Sequence, residues 1–247
     1  MTTILRAILV IALLAACSAP PREERLVVFA ASSLRDAFTE IGDDFERAHP
    51  DVELTFQFAG TQQLRAQIEQ GAPADVLASA DVQHVDELVR AGHVAAPIVF
   101  ARNEPVIVVG RDVPVRSFDD LPGAGRIVIG AETVPIGRYT RRILERAPAD
   151  FRAQVEAHVV SNELDVRAVL AKVRLGEADA GIVYRTDARI AGDDVRVVSI
   201  PPERNVIAEY PIAITSHPAH PTLAREFVEL VRSERGQQVL AEHGFAP

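Results

Sequence analysis

Runs of β-branched and aliphatic residues alternate with amphipathic, helix-like segments along most of this chain. Residues 26–31 (LVVFAA) and 105–110 (PVIVVG) are typical strand sequences, whereas residues 34–48 place their apolar side chains at helical spacing. Strands and helices that alternate in this way are typical of α/β architectures with largely parallel sheets. The alternation therefore predicts an α/β protein.

The predicted elements cover most of the sequence after residue 25. The predicted strands are 26–31, 52–58, 74–79, 105–110, 126–130, 155–160, 179–184, 195–200 and 209–215. The predicted helices are 34–48, 62–70, 82–91, 166–175 and 222–242, and a further helix begins at residues 134–137 (VPIG).

Composition excludes several classes of function. The chain has 247 residues, a formal net charge of −9 and no Lys/Arg-rich tract, which argues against nucleic acid because phosphate binding relies on a basic surface. Its hydrophobic fraction of 48% is that of a folded protein, with either one large domain or two of about 100 residues each. The single Cys rules out an intramolecular disulfide and a multi-cysteine metal site.

The N-terminus carries a targeting pattern. Residues 7–16 (AILVIALLAA) are uninterruptedly apolar, but a membrane span needs about 20 such residues, so this run fits a signal peptide. It ends in LAAC (14–17), which resembles the lipobox of bacterial lipoproteins. We therefore expect a signal peptide at 1–16, an acylated Cys17 and a tether at 17–25, which together predict an exported protein in the periplasm or at the cell surface. The alternative is a buried helix with a free thiol.

Four predicted helices begin directly after a strand or loop with residues suited to a helix start. These residues are Ser33, Thr61, Ile136 and Val166 with their immediate neighbours. A helix N-terminus offers unpaired N–H donors and about half a positive charge, so it favours an anion. Four such termini that converged would bind an oxyanion without a cationic side chain. Each start taken alone is an ordinary cap, and the spacing does not tell whether the four face one point.

Five stretches give the chain a family resemblance. They are VFAASSLRDAF (28–38), FAGTQQLRAQIEQGAPADVLASAD (58–81), VPIGRY (134–139), ELDVRAVLAKVRLGEADAGIVYRTDA (163–188) and EYPIAI (209–214). Together they resemble the periplasmic molybdate-binding proteins of bacterial ABC importers. The resemblance implies a two-lobed type II periplasmic-binding-protein fold, in which each lobe is a mixed sheet flanked by helices and the ligand lies in the cleft between them. Lobe 1 would be residues 26–104 plus 209–247, and lobe 2 residues 105–208.

The same resemblance implies a set of oxyanion-binding residues. Matched position by position, it points to the hydroxyls of Ser33 and Thr61, the backbone N–H groups of Ile136 and Val166, and the phenol of Tyr184. Without the resemblance, Tyr184 would be interpreted as a core aromatic residue at a strand end. Molybdenum would be bound only as the oxyanion, and no catalytic residue or cofactor is implied.

All five groups can donate a hydrogen bond, and none is a carboxylate. A fully deprotonated dianion such as molybdate, tungstate or sulfate needs donors only, whereas hydrogen phosphate would also want an acceptor. Two departures from the family concern the ligand. Gly60-Thr61-Gln62-Gln63 replaces a serine-rich turn, and Arg138 and Arg185 follow two of the matched motifs, where we expect both to be solvated.

The resemblance implies a monomeric solute-binding protein, not an enzyme, that captures molybdate or tungstate and delivers it to an ABC permease. One alternative keeps the fold and binds another tetrahedral oxyanion such as sulfate. An alternative from another class is a small serine hydrolase that uses Ser33, although the sequence lacks G-x-S-x-G, H-E-x-x-H and Walker A motifs.

Overall fold

The computed structural model describes residues 24–247. The predicted signal peptide, the lipidation site Cys17 and nearly all of the tether lie outside the described residues. Within 24–247, no helix combines the length and the apolar character needed to cross a bilayer.

The described residues alternate between strands and helices. The strands are β1 (Glu24–Ala31), β2 (Val52–Ala59), β3 (Val76–Ala78), β4 (Ile98–Asn103), β5 (Pro105–Gly110), β6 (Ile127–Gly130), β7 (Val159–Glu163), β8 (Ala180–Tyr184), β9 (Val195–Val198) and β10 (Ala208–Ile214). The α-helices are α1 (Arg35–Ala48), α2 (Thr61–Glu69), α3 (Val82–Arg90), α4 (Pro135–Glu145), α5 (Ala149–Ala157), α6 (Val166–Arg174), α7 (Arg185–Ala191), α8 (Pro221–Arg232) and α9 (Glu234–Glu242).

The strands form two separate five-stranded sheets. One has the order β2-β1-β3-β10-β4 and the other β7-β6-β8-β5-β9. We call the body around the first sheet, with α1–α3, α8 and α9, lobe 1, and the body around the second, with α4–α7, lobe 2. The chain passes from lobe 1 to lobe 2 at Glu104, between β4 and β5, and returns between β9 and β10.

Both sheets are mixed, which confirms the predicted α/β class and the mixed sheets that the family resemblance implies, whereas the expectation of largely parallel sheets from the alternation of elements is wrong. β1 runs parallel to β2 and β3, and β6 runs parallel to β7 and β8. β10 runs antiparallel to β3 and β4, and β5 runs antiparallel to β8 and β9. β5 and β10 are the first strands that the chain forms after each crossing between lobes. Because no crossover helix precedes them in their sheet, nothing forces them to be parallel.

Other local predictions failed where the pattern was weak. Residues 155–160 are not one strand, because α5 ends at Ala157 and β7 begins at Val159. Within α5 only Val155 is fully buried, so its apolar pattern is weak. The predicted helix 222–242 is two helices separated at Ser233, whose side chain accepts a hydrogen bond from the Gly236 N–H at 3.2 Å and so caps α9. β4, an edge strand, was not predicted.

Aromatic packing fixes helix α1 on its sheet. The ring of Phe38 lies 6.2 Å from Phe56, 5.7 Å from Phe100 and 5.8 Å from Phe227, measured between centroids. Leu64 of α2 and Leu88 of α3 pack on the opposite face of the sheet, against Phe29 and Leu77. The helices that follow β1 and β2 are therefore anchored in the core, and their first residues occupy fixed positions at the sheet edge.

Candidate functional site

A small cavity lies between the two lobes. It contains about 210 Å³ of empty space, part of it open to solvent. Its lining residues are Ala31, Ser32, Ser33, Ala59, Gly60, Thr61, Ala80, Val134, Pro135, Ile136, Asp165, Val166 and Tyr184. All five residues that the sequence singled out are in this lining, and the four helix starts therefore face one cavity.

Strand register explains why these helix starts meet. In lobe 1, Ala31 at the end of β1 pairs with Ala59 at the end of parallel β2, so the turns to α1 and α2 leave the sheet side by side. In lobe 2, Gly130 at the end of β6 pairs with Glu163 at the end of parallel β7. Because parallel strands end at the same edge of a sheet, the segments that follow them collect there.

Ser33 is held by a tyrosine from a distant strand. It lies in the 3-10 turn Ser32–Leu34 between β1 and α1, is 3% exposed, and places its Oγ 3.0 Å from the hydroxyl of Tyr210 in β10. Burial raises the pKa of Tyr210 well above its ordinary value, so this phenol keeps its proton. When Tyr210 donates to Ser33, the serine proton is free to point into the cavity.

Thr61 is the first residue of α2, and its orientation is fixed by a backbone contact. Its Oγ1 accepts a hydrogen bond from the Ala80 N–H at 3.2 Å. The hydroxyl proton of Thr61 is therefore available for another acceptor. The two glutamines that follow are not in the cavity lining: Gln62 donates to the Leu164 carbonyl of lobe 2 at 2.7 Å, and Gln63 accepts from the Gly60 N–H at 3.2 Å.

Helix α4 presents free backbone donors to the cavity. The backbone N–H of Arg138 donates to the carbonyl of the N-cap residue Val134 at 3.0 Å. The backbone N–H groups of Ile136 and Gly137, which precede it in the helix, have no intrahelical acceptor. Pro135 occupies the first turn, where its missing N–H costs nothing. The helix approaches the end of β6 so closely that a Cβ at Gly137 would lie 1.9 Å from the Ala131 carbonyl oxygen.

Helix α6 presents its first N–H in the same way. Asp165 is the N-cap, and its carboxylate accepts from the Ala168 N–H at 3.0 Å. The backbone N–H of Val166, the first residue of the helix, does not take part in this cap. Asp165 is the acidic residue of the lining, and one of its carboxylate oxygens is engaged with the helix backbone.

Tyr184 ends β8 and contributes an unsatisfied hydroxyl. The residue is 1% exposed, its ring centroid lies 5.8 Å from that of Tyr210, and within residues 24–247 its hydroxyl makes no hydrogen bond of standard geometry, although the Tyr210 phenol is close to it. Burial raises the pKa of Tyr184 well above its ordinary value, and the neighbouring tyrosines and Asp187 add to the shift. A buried polar group without a partner costs about 1–3 kcal/mol, so an acceptor in the cavity would relieve this penalty.

The two arginines that follow the matched motifs do not line the cavity, but only one of them is in a solvated position. Arg185 pairs with Glu104, and its side chain is 42% exposed. Arg138 pairs with Asp81 of lobe 1, and its side chain is only 18% exposed, so the expectation that it is solvated is wrong. Arg138 lies between the lobes because it belongs to the first turn of α4, which begins at the cavity.

Sequence reasoning missed two further groups near the cavity. Tyr210, which orients Ser33, is 177 positions away along the chain, and only its place in EYPIAI (209–214) drew attention to it. Asp187 is fully buried, with a pKa that burial raises to about 6 and the nearby Arg167 guanidinium lowers in part. Within residues 24–247, no group of three or more His, Cys, Asp or Glu is arranged to hold a metal ion.

Two lobes joined by two chain crossings, with a donor-lined cavity between them, define a solute-binding protein. The chain belongs to the family of bacterial extracellular solute-binding proteins, which it matches over residues 26–246.

Individual relatives agree with this assignment. The molybdate-binding protein ModA of Mycobacterium tuberculosis (strain ATCC 25618 / H37Rv) is 42% identical over 225 residues, which cover 90% of this chain and 84% of the relative. The periplasmic molybdate-binding protein of Azotobacter vinelandii has a similar fold, with a TM-score of 0.81 and 17% identity over 90% of this chain and 99% of the other. The sulfate-binding protein SubI of M. tuberculosis also has a TM-score of 0.81, with 19% identity over 91% and 87%.

The close approach at Gly137 yields a test of how α4 is positioned. We expect Gly137→Ala to lower the free energy of unfolding by about 1–3 kcal/mol, because the new methyl group would collide with the backbone carbonyls of residues 130 and 131. Chemical denaturation followed by circular dichroism measures this change.

Gly123→Ala is the matched control, since a Cβ there meets no atom within 4 Å. Its free energy of unfolding should stay within about 0.5 kcal/mol of the unsubstituted protein. Equal stability of the two variants would contradict the close packing of α4 against β6.

Proposed function

We propose that this protein captures molybdate, or tungstate, outside the cytoplasmic membrane and delivers it to an ABC permease. The observation that carries the proposal is the convergence of five hydrogen-bond donors, and no lysine or arginine, on one cavity between the lobes. The 42% identity to a molybdate-binding protein over 90% of the chain supports the choice of anion.

The donor set suits a fully deprotonated dianion. Ser33, Thr61 and Tyr184 offer hydroxyl protons, and Ile136 and Val166 offer backbone N–H groups. Hydrogen phosphate would need an acceptor for its own proton, and a buried proton without one costs about 1–3 kcal/mol. The five donors therefore favour molybdate, tungstate or sulfate over phosphate.

The dianion would be stabilised by helix termini instead of side-chain cations. Each helix start carries about half a positive charge, concentrated on N–H groups that have no partner in the helix. The starts of α2, α4 and α6, with the 3-10 turn before α1, all border the cavity. These dipoles are fixed by the fold, so they do not have to reorganise when the anion arrives.

The hydrogen-bond partner of the Ser33 hydroxyl favours a binding role for this serine over hydrolysis. A serine nucleophile needs a general base within hydrogen-bond reach, but the Ser33 Oγ contacts the Tyr210 phenol, which burial keeps protonated. His84, in α3, directs its Nε2 at the Thr133 carbonyl, 2.9 Å away, not at Ser33. We therefore propose a binding protein without enzymatic activity and without a cofactor.

Capture would involve closure of the lobes on the anion. Ser33 and Thr61 belong to lobe 1, whereas Ile136, Val166 and Tyr184 belong to lobe 2, so the complete donor set exists only when the lobes are together. Closure is then a population shift driven by contacts made only in the closed state. We propose lobe boundaries at 26–104 plus 209–247 and at 105–208, with the two crossings as hinges.

The N-terminal pattern completes the proposal. A signal peptide at 1–16 would be removed, and acylated Cys17 with the tether 17–25 would hold a monomeric binding protein at the membrane, in the periplasm or on the cell surface. Such an anchor keeps the protein close to its permease.

Calorimetric titration of the purified protein with molybdate, tungstate, sulfate and phosphate at matched ionic strength tests the function. We expect tight one-to-one binding of molybdate or tungstate and weak binding of sulfate, in line with the 42% identical molybdate-binding protein, and no binding of phosphate, because the donors suit a fully deprotonated dianion. Equally tight sulfate binding would favour the sulfate alternative. If none of the four anions bound, the proposed function would be wrong.

The site residues are tested by Ser33→Ala and Tyr184→Phe, each of which removes one donor. Each should weaken molybdate binding by about 1.5–3 kcal/mol, or roughly 10- to 100-fold, since each lost hydrogen bond is to a charged ligand. Tyr139→Phe is the control, because it removes a buried phenol 6.3 Å from the Tyr184 ring, measured between centroids, but outside the cavity lining.

Unchanged affinity in both site variants would contradict the assignment of these donors. An ester-hydrolysis assay on the same proteins separates the other class of function: turnover that is lost in Ser33→Ala would support the hydrolase alternative.

A further inference from the structure

Two arginines of lobe 2 reach across the cleft to carboxylates of lobe 1. Arg138 pairs with Asp81, and Arg167 pairs with Asp36. Each arginine lies within two positions of a proposed backbone donor, Ile136 in one case and Val166 in the other. These ion pairs therefore form next to the cavity when the lobes are together.

The two pairs differ in whether the arginine keeps an acidic partner when the lobes separate. Arg167 also contacts Asp187 of its own lobe, with 2.7 Å between Nε and Oδ1, and this carboxylate is fully buried. Arg167 thus keeps an acidic partner in either arrangement. Arg138 has no carboxylate of lobe 2 within ion-pair distance among residues 24–247, so separation of the lobes leaves its charge unpaired.

The surroundings of Arg138 disfavour its positive charge when that charge is unpaired. Burial lowers the pKa of this guanidinium, and the positive charges of Arg142 and Arg65 lower it further. Asp81 is the fixed partner: its Oδ1 caps α3 by accepting from the His84 N–H at 3.1 Å, and the side chain is 5% exposed. The contact therefore joins a rigid carboxylate on lobe 1 to a cation on lobe 2.

We propose that Arg138 and Asp81 form an ionic latch that holds the lobes closed over the anion, and that Arg138, once released from Asp81, attracts the incoming anion. This inference rests on the proposed function. The chain carries a net charge of −9, which repels a dianion at long range, and a free arginine at the cleft counteracts this locally. After closure Asp81 neutralises Arg138, and the anion is left to the uncharged donors.

The latch predicts different kinetics for its two members. Stopped-flow measurement of molybdate binding, followed by tyrosine fluorescence, gives the association and dissociation rates. Asp81→Asn and Arg138→Gln should each raise the dissociation rate at least about 10-fold, because each breaks a largely buried charge pair. Only Arg138→Gln should also slow association and reduce its dependence on salt. Asn retains the capping oxygen that α3 needs.

Two further variants sharpen the test. Arg111→Gln removes the same charge from an exposed turn of lobe 2 after β5 and should change both rates less than about 2-fold. The double variant Asp81→Asn/Arg138→Gln should dissociate no faster than Arg138→Gln alone, because the latch is already broken. If Asp81→Asn slowed dissociation, Arg138 would contact the anion itself and the latch would be wrong. Additive effects of the two substitutions would also overturn it.

A measurement without anion separates the latch from the proposed function. Spin labels at Val89→Cys in α3 and Gln154→Cys in α5, in a Cys17→Ser background, report the distance between the lobes. Both latch variants should give longer distances than the labelled protein without further substitutions, and Arg111→Gln should not. Identical distances in all of them would overturn the latch. Absence of oxyanion binding in calorimetry would overturn the proposed function, while the distances would still decide the latch.

Discussion

The arrangement of the cavity depends on helix N–H groups that have no acceptor within their helices. Parallel register places the ends of β1 and β2 side by side in lobe 1, and those of β6 and β7 side by side in lobe 2. The helices that follow must therefore begin at the same edges, with their unpaired donors facing the gap between the lobes. Because this geometry belongs to the backbone, the donor at position 136 does not depend on the Ile side chain.

A site built from such weak partial charges requires that neighbouring carboxylates be neutralised. Four acids lie close to the cavity, and each is engaged elsewhere: Asp165 by the backbone of α6, Asp81 by Arg138 and the cap of α3, and both Asp36 and Asp187 by Arg167. The arginines near the cleft thus serve the site by pairing with acids, and apart from Asp165 the cavity is lined by uncharged residues. An acidic protein can hold an anion in this way without a basic patch.

Much of the fold could be predicted from the sequence because its elements are strongly periodic, as α1 and β5 illustrate. The helix starts at Thr61 and Val166 were also predictable from local residues, but their convergence depends on strand register, which no local pattern reveals. The exposed position expected for Arg138 was wrong because its partner, Asp81, lies in the other lobe. Tyr210 was missed as a site neighbour for the same reason: its contact with Ser33 joins segments that are far apart in sequence.

The size of the cavity follows from contacts between the lobes, not from the donors themselves. Gly60 approaches lobe 2 so closely that a Cβ would lie 2.3 Å from the Leu164 carbonyl oxygen, and Gln62 donates to that same oxygen at 2.7 Å. Tetrahedral dianions of different radius present the same acceptors, so a set of donors alone cannot distinguish them. If the proposed function holds, discrimination between molybdate and sulfate must come from how far the lobes can approach, and the Gly60–Gln62 turn against Leu164 is one of the contacts between the lobes beside Thr61.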